Sequence, residues 1–196
     1  MLVSMDVTSL YTNIPQKEGI NIVSKTCEAF HLNKPPIPTL YLRGMLGLSL
    51  KENSFHFNGK NYLQTHGTAM GTKMAVSFAN IFMAVVERKI IYRSHLKPHS
   101  WKRCSDDVFS LWNVNKEKIN SFIELANSYH LTRKFTAEIS DKETTFLDTC
   151  VRAKDLRKNP FSTCERTSNQ QKLSNIHIFP PATLQVSGKA LSKVKP

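Results

Sequence analysis

With 196 residues, 40% of them hydrophobic and 21% charged, the chain can build one well-cored domain with a small appendage and is not a disordered polyelectrolyte. No apolar run reaches the ~18 residues needed to span a bilayer, so no membrane partner is expected. The formal net charge of +12 instead points to a polyanionic partner, and nucleic acid fits that need.

Leu2 to Val7 reads as a buried strand with Asp6 near its end. Asn13 and Gln16, flanking Pro15, suggest a helix start, after which Ile20, Val23, Cys27 and Phe30 fall on one helical face. Pro35, Pro36 and Pro38 break the chain before a second apolar segment, Leu40 to Leu50. A hairpin is expected around Asn58-Gly59, with Phe55 and Phe57 alternating on one arm and Tyr62 on the other. Residues 72 to 93 form the longest helical candidate, with Met74, Phe78, Ile81, Phe82, Val85 and Val86 toward the core.

A second hairpin is expected from Trp101 to Trp112, with Ser105-Asp106-Asp107 at its bend. Ile119, Phe122, Ile123 and Ala126 mark a further amphipathic helix, and two single strands follow near Leu131 to Glu138 and Thr145 to Val151. The tail differs: from Arg152 to Pro196 it carries nine basic residues against Asp155 and Glu165, a net of +7. Strands, helices and separate hairpins in this order suggest an α+β layer structure, with residues 1–151 as the main domain and 152–196 as a basic appendage. Cys27, Cys104, Cys150 and Cys164 form no C-x-x-C pair, so neither zinc nor a disulfide framework follows. A reducing intracellular compartment, nuclear or cytoplasmic, is the simpler expectation.

The strongest chemical constellation is Asp6 on one strand with Asp106 and Asp107 at a hairpin bend. Carboxylates from two strands can hold Mg²⁺ (or Mn²⁺) against a nucleotide triphosphate, because hard cations prefer oxygen ligands and share them with phosphates. Adjacent aspartates cannot both point the same way, so Asp106 and Asp107 are expected to divide into a principal and a lesser ligand. An aspartate pair at a bend also has an ordinary explanation in turn chemistry.

The order of the surrounding motifs is more specific. Asp6-Val7-Thr8-Ser9-Leu10-Tyr11-Thr12-Asn13-Ile14-Pro15 resembles motif A of Penelope-like retroelement reverse transcriptases, and Gln64-Thr65-His66-Gly67-Thr68-Ala69-Met70-Gly71-Thr72, continuing through Ala79-Asn80, resembles their motif B. Arg103-Cys104-Ser105-Asp106-Asp107-Val108-Phe109 sits where motif C belongs; Lys134-Phe135-Thr136-Ala137-Glu138 and Phe146-Leu147-Asp148 are similar to motifs D and E.

The resemblance implies a reverse-transcriptase palm, a small antiparallel sheet backed by helices, followed by a partial thumb and with the fingers missing. It implies RNA-directed DNA polymerase activity on an RNA template and DNA primer, with deoxynucleotide triphosphates as substrates. Asp6 and Asp106 would be the principal catalytic metal ligands, with Asp107 assisting because its side chain is expected to leave the strand in the other direction. Tyr11, Gly67, Met70, Gly71 and Lys134 would bind the nucleotide, with the Tyr11 ring under the sugar, and Phe146 and Leu147 would form the primer grip. Read without the family, Tyr11, Phe146 and Leu147 are core residues, Lys134 is a solvated cation, and the glycines mark a loop-to-helix junction.

Two departures stand out. Cys104 and Ser105 occupy positions where the family carries an aromatic and an apolar residue, and Glu165-Arg166-Thr167 and Ser174-Asn175-Ile176-His177 are faint echoes of its thumb patterns. The alternative left open is a non-catalytic, truncated palm that at most binds nucleic acid nonspecifically. Oligomeric state is unknown from sequence.

Overall fold

The computed structural model describes residues 1–32, 34–129 and 134–153, together with the backbone of a short strand at Cys164–Arg166. Its centre is the strand β1 (Leu2–Val7), whose alternation buries Val3, Met5 and Val7 on one face and leaves Ser4 and Asp6 on the other. A short 3-10 turn at Tyr11–Asn13 leads into α1 (Gln16–Phe30), followed by α2 (Thr39–Lys51), the hairpin β2 (Ser54–Phe57) and β3 (Lys60–Leu63), and α3 (Ala75–Arg93). Next come β4 (Ser100–Cys104), β5 (Asp107–Leu111), α4 (Lys116–Ser128) and β6 (Phe135–Ser140). A final group comprises β7 (Glu143–Phe146), β8 (Thr149–Arg152) and β9 (Cys164–Arg166).

The main sheet is antiparallel in the order β4-β5-β1-β6, with β2-β3 and β7-β8-β9 as separate small sheets. Among the described residues, the helices cover one face of the main sheet. Val3, Met5, Val7 and Val108 from the strands meet Phe78, Phe82, Met83 and Val86 of α3 and Ile119 and Phe122 of α4 in one core. Gly19 lets α1 lie against α3: a Cβ there would stand 2.5 Å from the Phe78 ring. Asn127 ties α4 to β6, accepting from Phe135 N–H at 2.6 Å and donating to its carbonyl at 3.2 Å. The opposite face of the sheet carries no helix among the described residues, and Asp6 lies on it.

Several expectations need correction. α1 starts at Gln16, just after Pro15, where a helix start is expected, but Phe30, expected on the core face, is 80% exposed because the last turn of α1 runs past the core. α3 begins at Ala75 rather than 72, since residues 72 to 74 are used in turns closed by Thr72 N–H to Ala69 O and Ala75 N–H to Thr72 O. The strand expected near Leu131 to Glu138 is displaced to Phe135–Ser140, and residues 131–133 lie outside those described. The single strand expected at Thr145 to Val151 is a hairpin, because Leu147 adopts φ 56° and turns the chain between the paired Phe146 and Thr149. Within the tail, Arg152 ends β8 and Ala153 follows it; beyond residue 153 only Cys164–Arg166 is described, and it pairs with β8.

Phe122 is the keystone of the aromatic core, meeting Trp112 edge-on at 4.8 Å between centroids and Trp101 at 5.9 Å. Phe122→Ala should lower the unfolding free energy by about 3–5 kcal/mol. Denaturant titration checks this, and a loss below 1 kcal/mol would mean that α4 is not part of the cooperative core.

Candidate functional site

The β1–β5 register pairs Asp6 directly with Asp107. Val7 N–H donates to the Asp106 carbonyl at 3.0 Å, so Val7 and Asp106 are the hydrogen-bonded pair. Asp6 and Asp107 therefore occupy the intervening non-hydrogen-bonded position, where opposed side chains share a face and stand closest, with Cα atoms typically ~4.5 Å apart. Ser105 and Asp106 form the two-residue bend, and Ser105 takes φ 57°, as the first central position of a type II′ hairpin turn requires.

This geometry corrects one expectation. Asp107 does not leave the strand away from Asp6; it lies across from it on the same open face. The bend removes Ser105 and Asp106 from the strand alternation, so Asp107 becomes the first regular residue of β5.

Three carboxylates at one sheet end repel one another. Burial pushes the Asp6 carboxyl above its ordinary range, and the Asp106 charge adds to the rise. Asp107 is raised by burial first, then by Asp106 and Asp6. Burial also pushes the Cys104 thiol up, with Asp107 and Asp106 adding and Arg103 opposing. Among the described residues, no hydrogen bond or ion pair neutralises these aspartates, and no three His, Cys, Asp or Glu residues close to metal-ligand distance of a common point. The donor set itself, three carboxylates on an open face without a counter-cation, matches the chemistry of a hard divalent ion.

The bend is held from below by Arg103. Its guanidinium donates to the Ser105 carbonyl at 2.9 Å, to Asn80 Oδ1 at 2.7 Å and to the Asn80 carbonyl at 3.1 Å. Its Nε stands 2.9 Å from Glu87 Oε1, as an ion pair rather than a directed hydrogen bond. Glu87 also accepts from Trp101 Nε1 at 3.1 Å. Burial raises the Glu87 carboxyl, with Arg103 and Trp101 opposing the rise. Glu87 was not anticipated from sequence; a lone glutamate among Val85, Val86 and Ile90 on the apolar helix was its only signal.

Tyr11 lies beside this bend, half-buried, with its hydroxyl 3.1 Å from Ser105 Oγ. The loop at 64 to 72 packs against the Tyr11 backbone: Thr68 N–H donates to Tyr11 O at 2.8 Å, and Gln16 Nε2 donates to Gly67 O at 3.1 Å. Gly67 takes φ 68°, and a Cβ on it would stand 2.6 Å from Thr12 Cα and from the Tyr11 and Thr12 carbonyl oxygens. No other residue fits. Gly71 is different, since a Cβ there meets nothing within 4 Å, and Met70 is 66% exposed.

Lys134 is exposed, its carbonyl oxygen accepts the Thr8 N–H at 2.9 Å, and it stands two residues before Thr136, the β6 partner of Asp6. Phe146 packs its ring 5.6 Å from that of Phe109, two residues along β5 from Asp107. Leu147 sits in the β7–β8 bend rather than on a strand. The structure thus gathers Asp6, Asp106, Asp107, Tyr11 and Gly67 closely, and places Lys134 and Phe146 at the border.

The architecture has counterparts among solved structures. Telomerase from Candida albicans, in complex with a fragment of telomeric RNA, matches with a TM-score of 0.63 at 12% identity, over 85% of this chain and 30% of that one. Apo telomerase from Candida tropicalis, truncated from its C-terminal domain, matches with a TM-score of 0.50 at 13% identity, over 77% and 33% respectively. The fold is telomerase-like over the matched region. At these identities the likeness speaks for the fold alone, and the chain spans about a third of the length of the telomerases it matches. No family model matches the chain, and no curated protein matches it in sequence.

Two outcomes follow from this geometry. Gly67→Ala should destabilise the protein by at least about 2 kcal/mol, through left-handed strain and backbone overlap, whereas Gly71→Ala should be nearly neutral; equal melting temperatures for the two variants would contradict the packing described. Because the folded-state pKa values of Asp6 and Asp107 are raised, their contribution to stability is fully present below the ordinary carboxylate range and is lost as pH rises through the folded values. Asp107→Asn should therefore raise the melting temperature near neutral pH, by about 1–3 °C, and the gain should vanish near pH 3. A gain that grew on acidification would have the wrong sign.

Proposed function

We propose that the chain is the palm of a Penelope-like reverse transcriptase, joining a deoxynucleotide to a DNA primer 3′-hydroxyl on an RNA template. The observation that carries this reading is the placement of Asp6 across from Asp107, with Asp106 on the adjoining bend, beside a loop that only glycine at position 67 permits. The telomerase-like fold supports it. So do the net charge of +12 and the order of the sequence motifs.

Asp6 and Asp106, with Asp107 beside them, would hold Mg²⁺ or Mn²⁺, which when bound offsets the triphosphate charge and eases ionisation of the primer hydroxyl. The chain's own residues do the positioning. Arg103 fixes the height of the bend through the Ser105 carbonyl, and so places Asp106 relative to Asp6. Tyr11, held at its hydroxyl by Ser105, presents its ring as the floor of a sugar pocket and leaves no room for a 2′-hydroxyl. Lys134 supplies a cation at the β6 end for the pyrophosphate, and Phe146, propped on Phe109, steadies the primer end. Such positioning is the main catalytic contribution a protein makes to phosphoryl transfer. An intracellular setting completes the proposal; among the described residues, no helix is long and apolar enough to cross a membrane.

Primer extension on an RNA template, with Mg²⁺ or Mn²⁺, tests the reading. Asp6→Asn and Asp106→Asn should each reduce extension by more than about 100-fold. Tyr11→Ala should raise ribonucleotide relative to deoxynucleotide incorporation, while Tyr11→Phe, which keeps the ring and loses the bond to Ser105, should shift the ratio less. A chain that binds primer-template but extends it under no condition, alone or within a longer form, would leave a nucleic-acid-binding palm without catalysis.

A further inference from the structure

The β2–β3 hairpin has no part in the site described above, yet its composition is unusual for an exposed element. All eight strand residues are exposed, and among the described residues the strands pair only with each other. Asn58 and Gly59 both take positive φ, 49° and 74°, as a tight two-residue type I′ turn requires, so the register is fixed. Phe55 pairs with Tyr62 and Phe57 with Lys60, which places three aromatic rings and one ammonium on a single face. The Phe55 and Tyr62 rings stack at 5.5 Å and 18°, yet remain 51% and 43% exposed; Phe57 is 68% exposed. The opposite face carries Ser54, Leu63, His56 and Asn61.

An isolated two-stranded hairpin is marginal in water, and three aromatics on one open face make an apolar surface that calls for an occupant. The surroundings favour a polyanion. Lys17, Arg43 and Lys51 line a groove between α1 and α2, against the single acid Glu52, and this groove ends at residues that run directly into β2. The hairpin base is also tied to the glycine loop. Gln64 N–H donates to Asn53 O at 2.9 Å, Asn53 Nδ2 to Gln64 Oε1 at 2.9 Å, and Gln64 Nε2 to His66 O at 2.9 Å. The aromatic face is thus held in fixed relation to Gly67 and Tyr11.

We infer that the β2–β3 hairpin is a stacking platform for single-stranded nucleic acid. Bases stack on the outer faces of the Phe55 and Tyr62 rings and on Phe57, and Lys60 meets a phosphate; aromatic stacking of this kind is strong and indifferent to base identity. The inference does not depend on catalysis, because stacking requires neither the aspartates nor a cation.

Fluorescence anisotropy of the full chain with a labelled single-stranded RNA, in EDTA, tests it. An otherwise identical abasic strand separates stacking from phosphate attraction. Phe55→Ala and Tyr62→Ala should each weaken binding about tenfold, with the salt dependence unchanged because phosphate contacts remain. Phe55→Trp and Tyr62→Phe, which keep the aromatic face, should retain wild-type affinity, and the wild-type chain should bind the abasic strand as weakly as the alanine variants bind the intact one. Unchanged affinity in the alanine variants, or equal binding of abasic and intact strands by the wild type, would overturn the inference. So would a wild-type dimer in sedimentation that the alanine variants dissolve without loss of RNA affinity, since the face would then be an interface between copies.

Discussion

Three negative charges meet at one end of the main sheet because β1 and β5 pair with Asp6 across from Asp107 while the bend carries Asp106. Like charges at a non-hydrogen-bonded pair oppose folding, and burial adds to the cost. What holds the register against that repulsion is the other face of the same strands. Val3, Met5, Val7 and Val108 are fully or almost fully buried, and a slip of one residue would turn them out to solvent. The apolar core therefore enforces an electrostatically unfavourable arrangement. Such a conflict between stability and local charge is the feature on which the proposed cation site rests.

The bend needs its own support, and this comes from a buried ion pair. Arg103 and Glu87 are each 10% exposed in their side chains, and such pairs contribute little net stability once desolvation is counted. Their role is geometric. Arg103 reaches the Ser105 carbonyl and both polar groups of Asn80, so a single guanidinium ties the hairpin to α3. Burial raises the Glu87 pKa more than Arg103 and Trp101 lower it. Ser105 also bonds Tyr11, so the bend, α3 and the segment after β1 behave as one polar assembly at the edge of the apolar core.

Much of this was legible in the sequence where local chemistry agrees with the global fold. Asn58-Gly59 specified a hairpin with its register, and the alternation of Leu2 to Val7 specified a buried strand with an outward carboxylate. Asp6, Asp106 and Asp107 could be grouped because their motifs come in a known order. The failures are tertiary. Nothing local marks Leu147 for a left-handed bend, because the residue lacks the glycine or asparagine that usually pays the steric cost, and the β7–β8 hairpin was read as one strand. Phe30 fits the α1 periodicity, yet the helix outruns the core that would cover it. The facing of Asp107 depends on which two residues form the bend, which a run of Ser-Asp-Asp leaves undetermined. Glu87 could be understood only once Arg103 was seen beneath it.

Asp6, Asp106 and Asp107 are proposed to form one cation-binding centre. Titration of the chain with Mn²⁺, followed by electron paramagnetic resonance of the free ion, addresses it without requiring turnover. The wild-type chain should take up Mn²⁺ and gain thermal stability in doing so, since the ion relieves the repulsion that raises Asp6 and Asp107. Asp6→Asn and Asp106→Asn should lose the uptake while starting from a melting temperature at or above that of the wild type. Equal Mn²⁺ binding by the wild type and both variants, or no binding by any of them with no change in melting temperature, would contradict the claim.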